Sequence, residues 1–119
     1  MSAAHAASDK KASDVVILDV GPLIGITDYF VICSGRNERQ VGTIVEELER
    51  RMRTSGVKPH RREGERELRW VLLDYVDFVV HVFHQEERDF YELERLWRDA
   101  ARIPFEDGEK DAMTAGQSR

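Results

Sequence analysis

The sequence DYFVICSG at residues 28–35 is a run of aromatic and β-branched residues that ends at a glycine. A second run of this kind, VVILDV at residues 15–20, comes before it and stops at Gly21 and Pro22. Continuous apolar runs of this length, bounded by turn residues, are typical of strands that are covered on both faces. We therefore predict two central strands of a sheet.

A helix is predicted directly after the second strand. Asn37 is suited to cap its start, with Gln40 at the position from which a side chain reaches back. Arginines crowd its last turn before Gly56, where they complement the negative end of the helix dipole. The apolar residues of the segment recur at helical spacing, at Val41, Ile44, Val45, Leu48 and Met52.

The second half of the chain predicts a hairpin and a helix. Residues 57–67 are polar, with room for one short edge strand containing Pro59. The runs at residues 70–75 and 78–84 are separated by too little chain for a crossover, so they should pair antiparallel. A last helix is predicted over residues 86–100, with one apolar side formed by Phe90, Leu93, Leu96 and Trp97.

These elements predict a single α/β domain at residues 15–103, with a mixed sheet flanked by helices. Its sheet should combine a βαβ crossover with an antiparallel pair. Residues 1–14 form an alanine-rich helical segment that we expect to be loosely held, because it has few apolar anchors. Residues 104–119 are acidic, small and glycine-containing, which predicts a disordered tail.

Composition narrows the function classes. The chain has 119 residues and a formal charge of -5, which disfavours DNA binding and favours a basic protein partner. Its one cysteine, Cys33, lies in an apolar run, so neither a disulfide framework nor a cysteine-rich zinc site is expected. No apolar stretch approaches the ~20 residues that span a bilayer. We predict a cytoplasmic protein that does not enter a membrane.

Neither a metal site nor a catalytic site is predicted. His81 and His84 differ by an odd number of positions on a strand, so they point to opposite faces and cannot share one ion. Asp74 and Asp77 are three apart across a turn, not two apart on one strand face, as a metal-holding pair would be. The turn after Gly35 lacks the further glycines and the lysine of a phosphate loop. We therefore expect no cofactor, no metal and no enzymatic activity.

Charge is distributed unevenly along the chain. Residues 50–69 hold eight Lys or Arg against three Glu, whereas residues 71–99 hold three Arg against eight Asp or Glu. The hairpin and the last helix should therefore form an acidic surface. Five large aromatic residues lie in or beside this stretch, as in many protein-binding surfaces. We expect Phe83 and Trp97 to be core residues and some of Trp70, Tyr75 and Tyr91 to be exposed.

Four strings resemble the ribosomal silencing factor (Iojap) family: TDYFVICSG at 27–35, WVLLDY at 70–75, VHVFH at 80–84 and DFYELERLW at 89–97. The resemblance implies a nucleotidyltransferase-like fold without the catalytic carboxylates. It also implies binding to the large ribosomal subunit through ribosomal protein uL14. By occupying that surface, family members block joining of the small subunit and lower translation when nutrients are scarce. A homodimer is a further possibility that the family suggests.

Together the resemblance and the residues predict a contact patch centred on Trp70, Tyr75 and Tyr91. Trp70 and Tyr75 lie on opposite faces of one strand, so they can join one patch only near an exposed edge. Val76 stands where the family often has glycine, and because it disfavours a positive φ, it predicts another turn type. The rim of the patch is predicted at Asp74, Asp77 and Arg88.

Two questions stay open at this point. The alternative function is a nucleotide-handling enzyme built on the inherited fold. The basic segment at residues 50–69 is a candidate for contact with ribosomal RNA.

Overall fold

The computed structural model describes residues 2–104. The predicted tail lies outside these residues, apart from Pro104. The elements along the chain are α1 (Ser2–Asp9), β1 (Ser13–Asp19), α2 (Gly21–Ile24), β2 (Tyr29–Gly35), α3 (Glu38–Thr54), β3 (Arg61–Glu63), β4 (Trp70–Asp74), β5 (Phe78–His84), α4 (Gln85–Tyr91), α5 (Leu93–Leu96) and β6 (Ala101–Ile103).

The six strands form one mixed sheet in the order β3-β4-β5-β2-β1-β6. β2 and β5 are parallel neighbours at its centre, and α3 lies in the connection between them. β4 and β5 form the predicted antiparallel hairpin, with Trp70 opposite Phe83 and Asp74 opposite Val79. The predicted α/β domain, its mixed sheet and its flanking helices are confirmed. The edge strand β3 begins two residues after Pro59 and does not contain it.

The two faces of the sheet bury separate clusters. On one face, α1 and α3 cover residues such as Val71, Leu73, Val80 and Val82. On the other face, Phe30, Ile32 and Phe83 pack against Leu93 and Ala100 from the C-terminal segment. Alternation along each strand therefore decides which side chains meet the helices and which face the C-terminal segment. The C-terminal segment covers only part of the second face, and Ile26 and Val76 beside it stay exposed.

Helix α3 has the predicted start. Asn37 Oδ1 accepts a hydrogen bond from the amide of Gln40 at 2.8 Å, and Gln40 Oε1 accepts one from the amide of Arg36 at 2.7 Å. Its buried stripe consists of the five predicted residues together with Glu47. None of the described helices is long and apolar enough to cross a bilayer.

Glu47 is accommodated on that stripe by two arginines of the same helix. Hydrogen bonds from Arg50 and Arg51 lower the pKa of its carboxyl to about 2. Arg51 also bonds Asp9 at the end of α1, which ties the two helices together.

Helix α1 is packed against the domain, contrary to the expectation of a loosely held segment. Ala3, Ala4, Ala6 and Ala7 are all fully buried in the cluster under α1 and α3. Alanine brings two helix backbones close together, so small side chains can anchor a helix that has no large apolar residue. The prediction failed because it counted only large apolar residues as anchors.

The prediction of one continuous last helix is wrong. Helix α4 ends at Tyr91 because Glu92 adopts a left-handed conformation with φ 48°, and α5 is a separate turn. The chain then forms β6 at the sheet edge, paired with β1, where no strand was predicted. As a result Phe90 and Leu96, which were placed on the core side, are 78% and 74% exposed.

Candidate partner-binding surface

Trp70 anchors a group of aromatic residues at the start of β4. Its ring lies 4.8 Å from that of Phe83 on the neighbouring strand and 5.0 Å from that of Tyr91 in α4, measured between centroids. Its indole Nε1 donates a hydrogen bond to Nδ1 of His81 at 3.1 Å. Trp70 is partly buried, so one edge of the indole is fixed from within while another remains accessible.

Helix α4 presents two further aromatic rings to solvent. The helix starts directly after β5, where His84 Nδ1 accepts a hydrogen bond from the amide N–H of Glu86. It ends after seven residues. Phe90 and Tyr91 at its end are in edge contact with each other, and Tyr91 is 47% exposed. Leu96 of α5 lines the same surface hollow as Tyr91. We name the group formed by the partly buried Trp70 and the exposed Phe90, Tyr91 and Leu96 the aromatic patch.

His81 supports Trp70 from the core side of this patch. Burial lowers the pKa of the imidazole to about 4, so it is neutral near pH 7. Because Nδ1 accepts the indole hydrogen, Nε2 carries the ring proton. This Nε2 is buried and has no hydrogen-bond partner among the described residues.

Tyr75 is separated from the aromatic patch. It lies on the α3 face of the sheet, stacks on Phe78 with centroids 5.0 Å apart, and is only 6% exposed. Burial raises the pKa of its hydroxyl to about 12. Strand alternation places Tyr75 and Trp70 on opposite faces, and no exposed edge reunites them. The structure thus brings Trp70 and Tyr91 together and leaves Tyr75 in the core.

Asp74 and Asp77 belong to the β4–β5 turn. Asp74 Oδ1 accepts the amide of Val76 at 2.8 Å, and the carbonyl of Asp77 accepts the amide of Asp28 at 2.8 Å. Val76 has a φ of +73°, so the turn keeps the left-handed residue although its side chain is β-branched. The expectation of another turn type is wrong, because these hydrogen bonds hold the loop in shape.

Arg88 is buried, although a rim position was predicted for it. Its guanidinium donates to Ser13 O and Ser34 Oγ, both at 3.2 Å, and forms an ion pair with Glu94. Although burial alone would raise the pKa of Glu94, the hydrogen bond and charge of Arg88 lower it. Arg88 therefore joins α4 to α5 and to strands β1 and β2. It stabilises the segment that carries the aromatic patch.

A polar cavity of about 810 Å³ lies beside Arg88 and is the place where a nucleotide site could be sought. Its cations Arg88, Arg95 and Arg102 are matched by the carboxylates Asp14, Asp89, Glu92 and Glu94. Since Arg88 is already paired with Glu94, the cavity offers little net positive charge to a phosphate. Asp74 and Asp77 are turn residues and do not line it.

One cluster has the composition of a metal site. Ligand atoms of His84, Glu86 and Glu87 lie within 4.8 Å of one another. The guanidinium of Arg69 bonds both carboxylates, at 2.7 and 2.6 Å, and offsets part of their charge. Because His84 Nδ1 accepts the amide of Glu86, the cluster is explained as a helix cap with a salt bridge.

Phe90 and Leu96 are patch residues that the sequence did not indicate. The helical spacing of residues 90–97 placed them on the core side, and only the break at Glu92 turns them outward. Nothing in the sequence marks that break, since glutamate is a good helix former.

Comparison with known proteins adds a family to this geometry. The family model described as "Ribosomal silencing factor during starvation" matches residues 1–119. A ribosomal silencing factor of Halalkalibacterium halodurans is 45% identical over 104 residues, which cover 87% of this chain and 89% of that protein. One of Bacillus subtilis is 45% identical over 98 residues, covering 82% and 83%. A crystal structure from Bacillus halodurans superposes with a TM-score of 0.77 at 42% identity, covering 87% of this chain and 93% of that one.

Proposed function

The chain belongs to the ribosomal silencing factor family, and from this premise we propose that it binds ribosomal protein uL14 on the large subunit. By occupying that surface it sterically blocks association with the small subunit and so represses translation in the cytoplasm under nutrient limitation. The proposed contact surface is the aromatic patch together with the acidic residues of α4.

The exposed aromatic patch is the observation that carries the proposal. Large rings that are half exposed and fixed from behind are the usual anchors of protein interfaces, because little side-chain entropy is lost when they are covered. Tyr91 and Phe90 are exposed, while Trp70 is held by His81. Nothing in the fold itself requires two such rings in solvent.

The charge around the patch fits a basic partner. Glu86, Asp89 and Glu92 on or next to α4 are exposed, and Glu87 is partly exposed, whereas the cations Arg95 and Arg98 lie on the α5 side of the patch. Ribosomal proteins that contact RNA are commonly basic, so an acidic rim would steer the encounter and the rings would supply the buried contact. Of the predicted site residues, Trp70 and Tyr91 remain in this proposal as contacts. Asp74 and Asp77 are candidates for a separate part of the surface.

Sedimentation with purified ribosomal subunits tests the proposal. The chain should travel with large subunits and be absent from small subunits. Tyr91→Ser should weaken binding by about thirtyfold, the equivalent of a ~2 kcal/mol anchor, and leave the melting temperature nearly unchanged. Val57→Ser, which alters an exposed valine after α3, is the matched control and should bind normally. Equal binding to both subunits would refute the proposal.

An enzymatic function is not favoured, because the cavity beside Arg88 is charge-balanced and the turn carboxylates do not face it. A nucleotide-turnover assay with magnesium separates the two hypotheses, and we expect no turnover. A homodimer and contact of residues 50–69 with ribosomal RNA both stay predictions. Arg50, Arg51, Arg61, Arg62 and Arg69 in that segment already pair with carboxylates, which lowers the charge available to RNA.

A further inference from the structure

A groove of about 440 Å³ opens on the same sheet face as the aromatic patch, beside the β4–β5 turn. Its walls come from the end of α2 and the segment after it, from strands β2, β4 and β5, and from His60 and Arg61 at the start of β3. Apolar side chains dominate its lining, among them Ile24, Ile26, Phe30, Leu72 and Val79. The groove is therefore large enough and apolar enough to take up an apolar side chain.

Two buried polar atoms in residues that line this groove have no hydrogen-bond partner among the described residues. They are Nε2 of His81 and Oγ1 of Thr27, in residues that are 5% and 8% exposed. Buried polar groups are almost always paired in folded proteins, since an unpaired one has lost its water without compensation. His81 is neutral and its Nε2 bears the hydrogen, so it can donate to an oxygen acceptor. Thr27 can donate or accept.

Val76 at the rim of the groove is held in an unfavourable conformation. Its φ of +73° is rare for a β-branched residue, and the turn hydrogen bonds hold it there with its side chain 56% exposed. Strained residues of this kind concentrate at binding sites. With Ile26, which is 84% exposed, Val76 forms an apolar rim that points away from the fold.

The charges next to the groove favour a cationic partner. Asp28 and Asp77 are exposed at the turn, and Asp74 lines the groove itself. Arg61 lies directly cross-strand from Asp74, its guanidinium is paired with Glu63, and His60 is the other basic side chain of the lining. A loop with an apolar residue flanked by Lys or Arg complements this arrangement.

We propose that the groove is a second, specificity-determining pocket for the basic partner protein that the aromatic patch contacts. An apolar side chain of one partner loop fills it between Ile26 and Val76. An oxygen acceptor of that loop bonds the N–H of His81 and the hydroxyl of Thr27. This inference rests on the proposed function, because both surfaces lie on one face and serve one partner.

Two substitutions separate a binding role from a structural one. Thr27→Val keeps the shape of the side chain and removes an unpaired hydroxyl, so the melting temperature should stay equal or rise. Ile26→Ser removes an apolar side chain that is 84% exposed at the rim, so it should leave the melting temperature nearly unchanged. Both variants should bind purified large subunits at least tenfold more weakly. Matched controls are Thr43→Val on α3 and Val57→Ser after α3, and both should bind normally.

Each outcome has a distinct meaning. Unchanged affinity of Thr27→Val and Ile26→Ser, with normal binding of the unsubstituted chain, would overturn the pocket and leave the proposed function standing. A lower melting temperature of Thr27→Val would show that its hydroxyl has a partner within the fold, which also overturns the pocket. Loss of self-association in sedimentation equilibrium, without loss of subunit binding, would assign the groove to a second copy of the chain. Failure of the unsubstituted chain to bind large subunits would refute the proposed function itself.

Discussion

Lowering the pH from 7 to 5 is expected to destabilise the folded chain through His81. Burial lowers its folded pKa to about 4, against an unfolded value near 6.5. Between these two values the unfolded chain binds a proton that the folded chain does not, so stability falls as the pH falls through this window. Integrating the two titrations from pH 7 to pH 5 gives a loss of about 2 kcal/mol of unfolding free energy.

Glu47, whose pKa is also strongly lowered, has its main effect below this window. Its folded pKa is about 2 against an ordinary value of 4.5, so its contribution is lost as the pH falls from about 4.5 towards 2. The charged and titratable side chains that line the groove with His81 are Asp74, His60 and Arg61. They are the same in a His81→Gln variant, so their contribution cancels when the two proteins are compared.

Urea unfolding at pH 7, 6 and 5 measures the effect, with the same series on His81→Gln as the control. Glutamine can still accept the hydrogen bond of the Trp70 indole but does not titrate. The pH-dependent loss should therefore disappear in His81→Gln, whatever the stability of that variant at pH 7. An equal loss in both proteins would refute the assignment to His81. A linear denaturant series resolves a change of this size, because it exceeds the usual extrapolation error for a small domain.

Two further predictions concern the segment that carries the aromatic patch. Arg88→Met should destabilise the fold by roughly 3–5 kcal/mol, because it leaves Glu94 without its cation. In a thermal melt, the double variant with Glu94→Leu should recover part of this loss. No recovery would show that the bonds of Arg88 to Ser13 and Ser34 dominate. Glu92→Gly should stabilise the fold by about 1 kcal/mol, because a φ of 48° suits glycine. The control Asp89→Gly, within α4, should destabilise the fold. A loss of stability in Glu92→Gly would contradict the strain at this residue.

The central elements were predictable because their periodicity reflects burial. Helix α3 shows a 3.6-residue stripe and a local cap, and the β4–β5 hairpin shows two apolar runs with a short connection. Both signals are contained within the segment that forms the element. The same is true of β2, whose residues are buried on both faces.

The C-terminal segment was not predictable in the same way. The break at Glu92 and the strand Ala101–Ile103 are accompanied by hydrogen bonds from Arg88 to Ser13 and Ser34 and by pairing with β1, which are contacts between distant parts of the chain. Local propensity favours one continuous helix there. Tertiary contacts overrode it, and the exposure of Phe90 followed from the break.

The candidate site was predicted in part for related reasons. Trp70 and Tyr91 stood out as aromatic residues in an acidic stretch, but sequence alone could not show that Tyr75 would stack in the core or that Arg88 would be buried. Thr27 and Ile26 carried no signal, because an unpaired hydroxyl or an exposed isoleucine is recognisable only once the fold is known.

Subunit joining, followed by light scattering on mixing purified small and large subunits, tests the steric block most directly. Large subunits incubated with the chain should join small subunits to a lower extent, and a Phe90→Ser/Tyr91→Ser variant that melts normally should restore joining. Undiminished joining in the presence of saturating unsubstituted chain would contradict the proposed function.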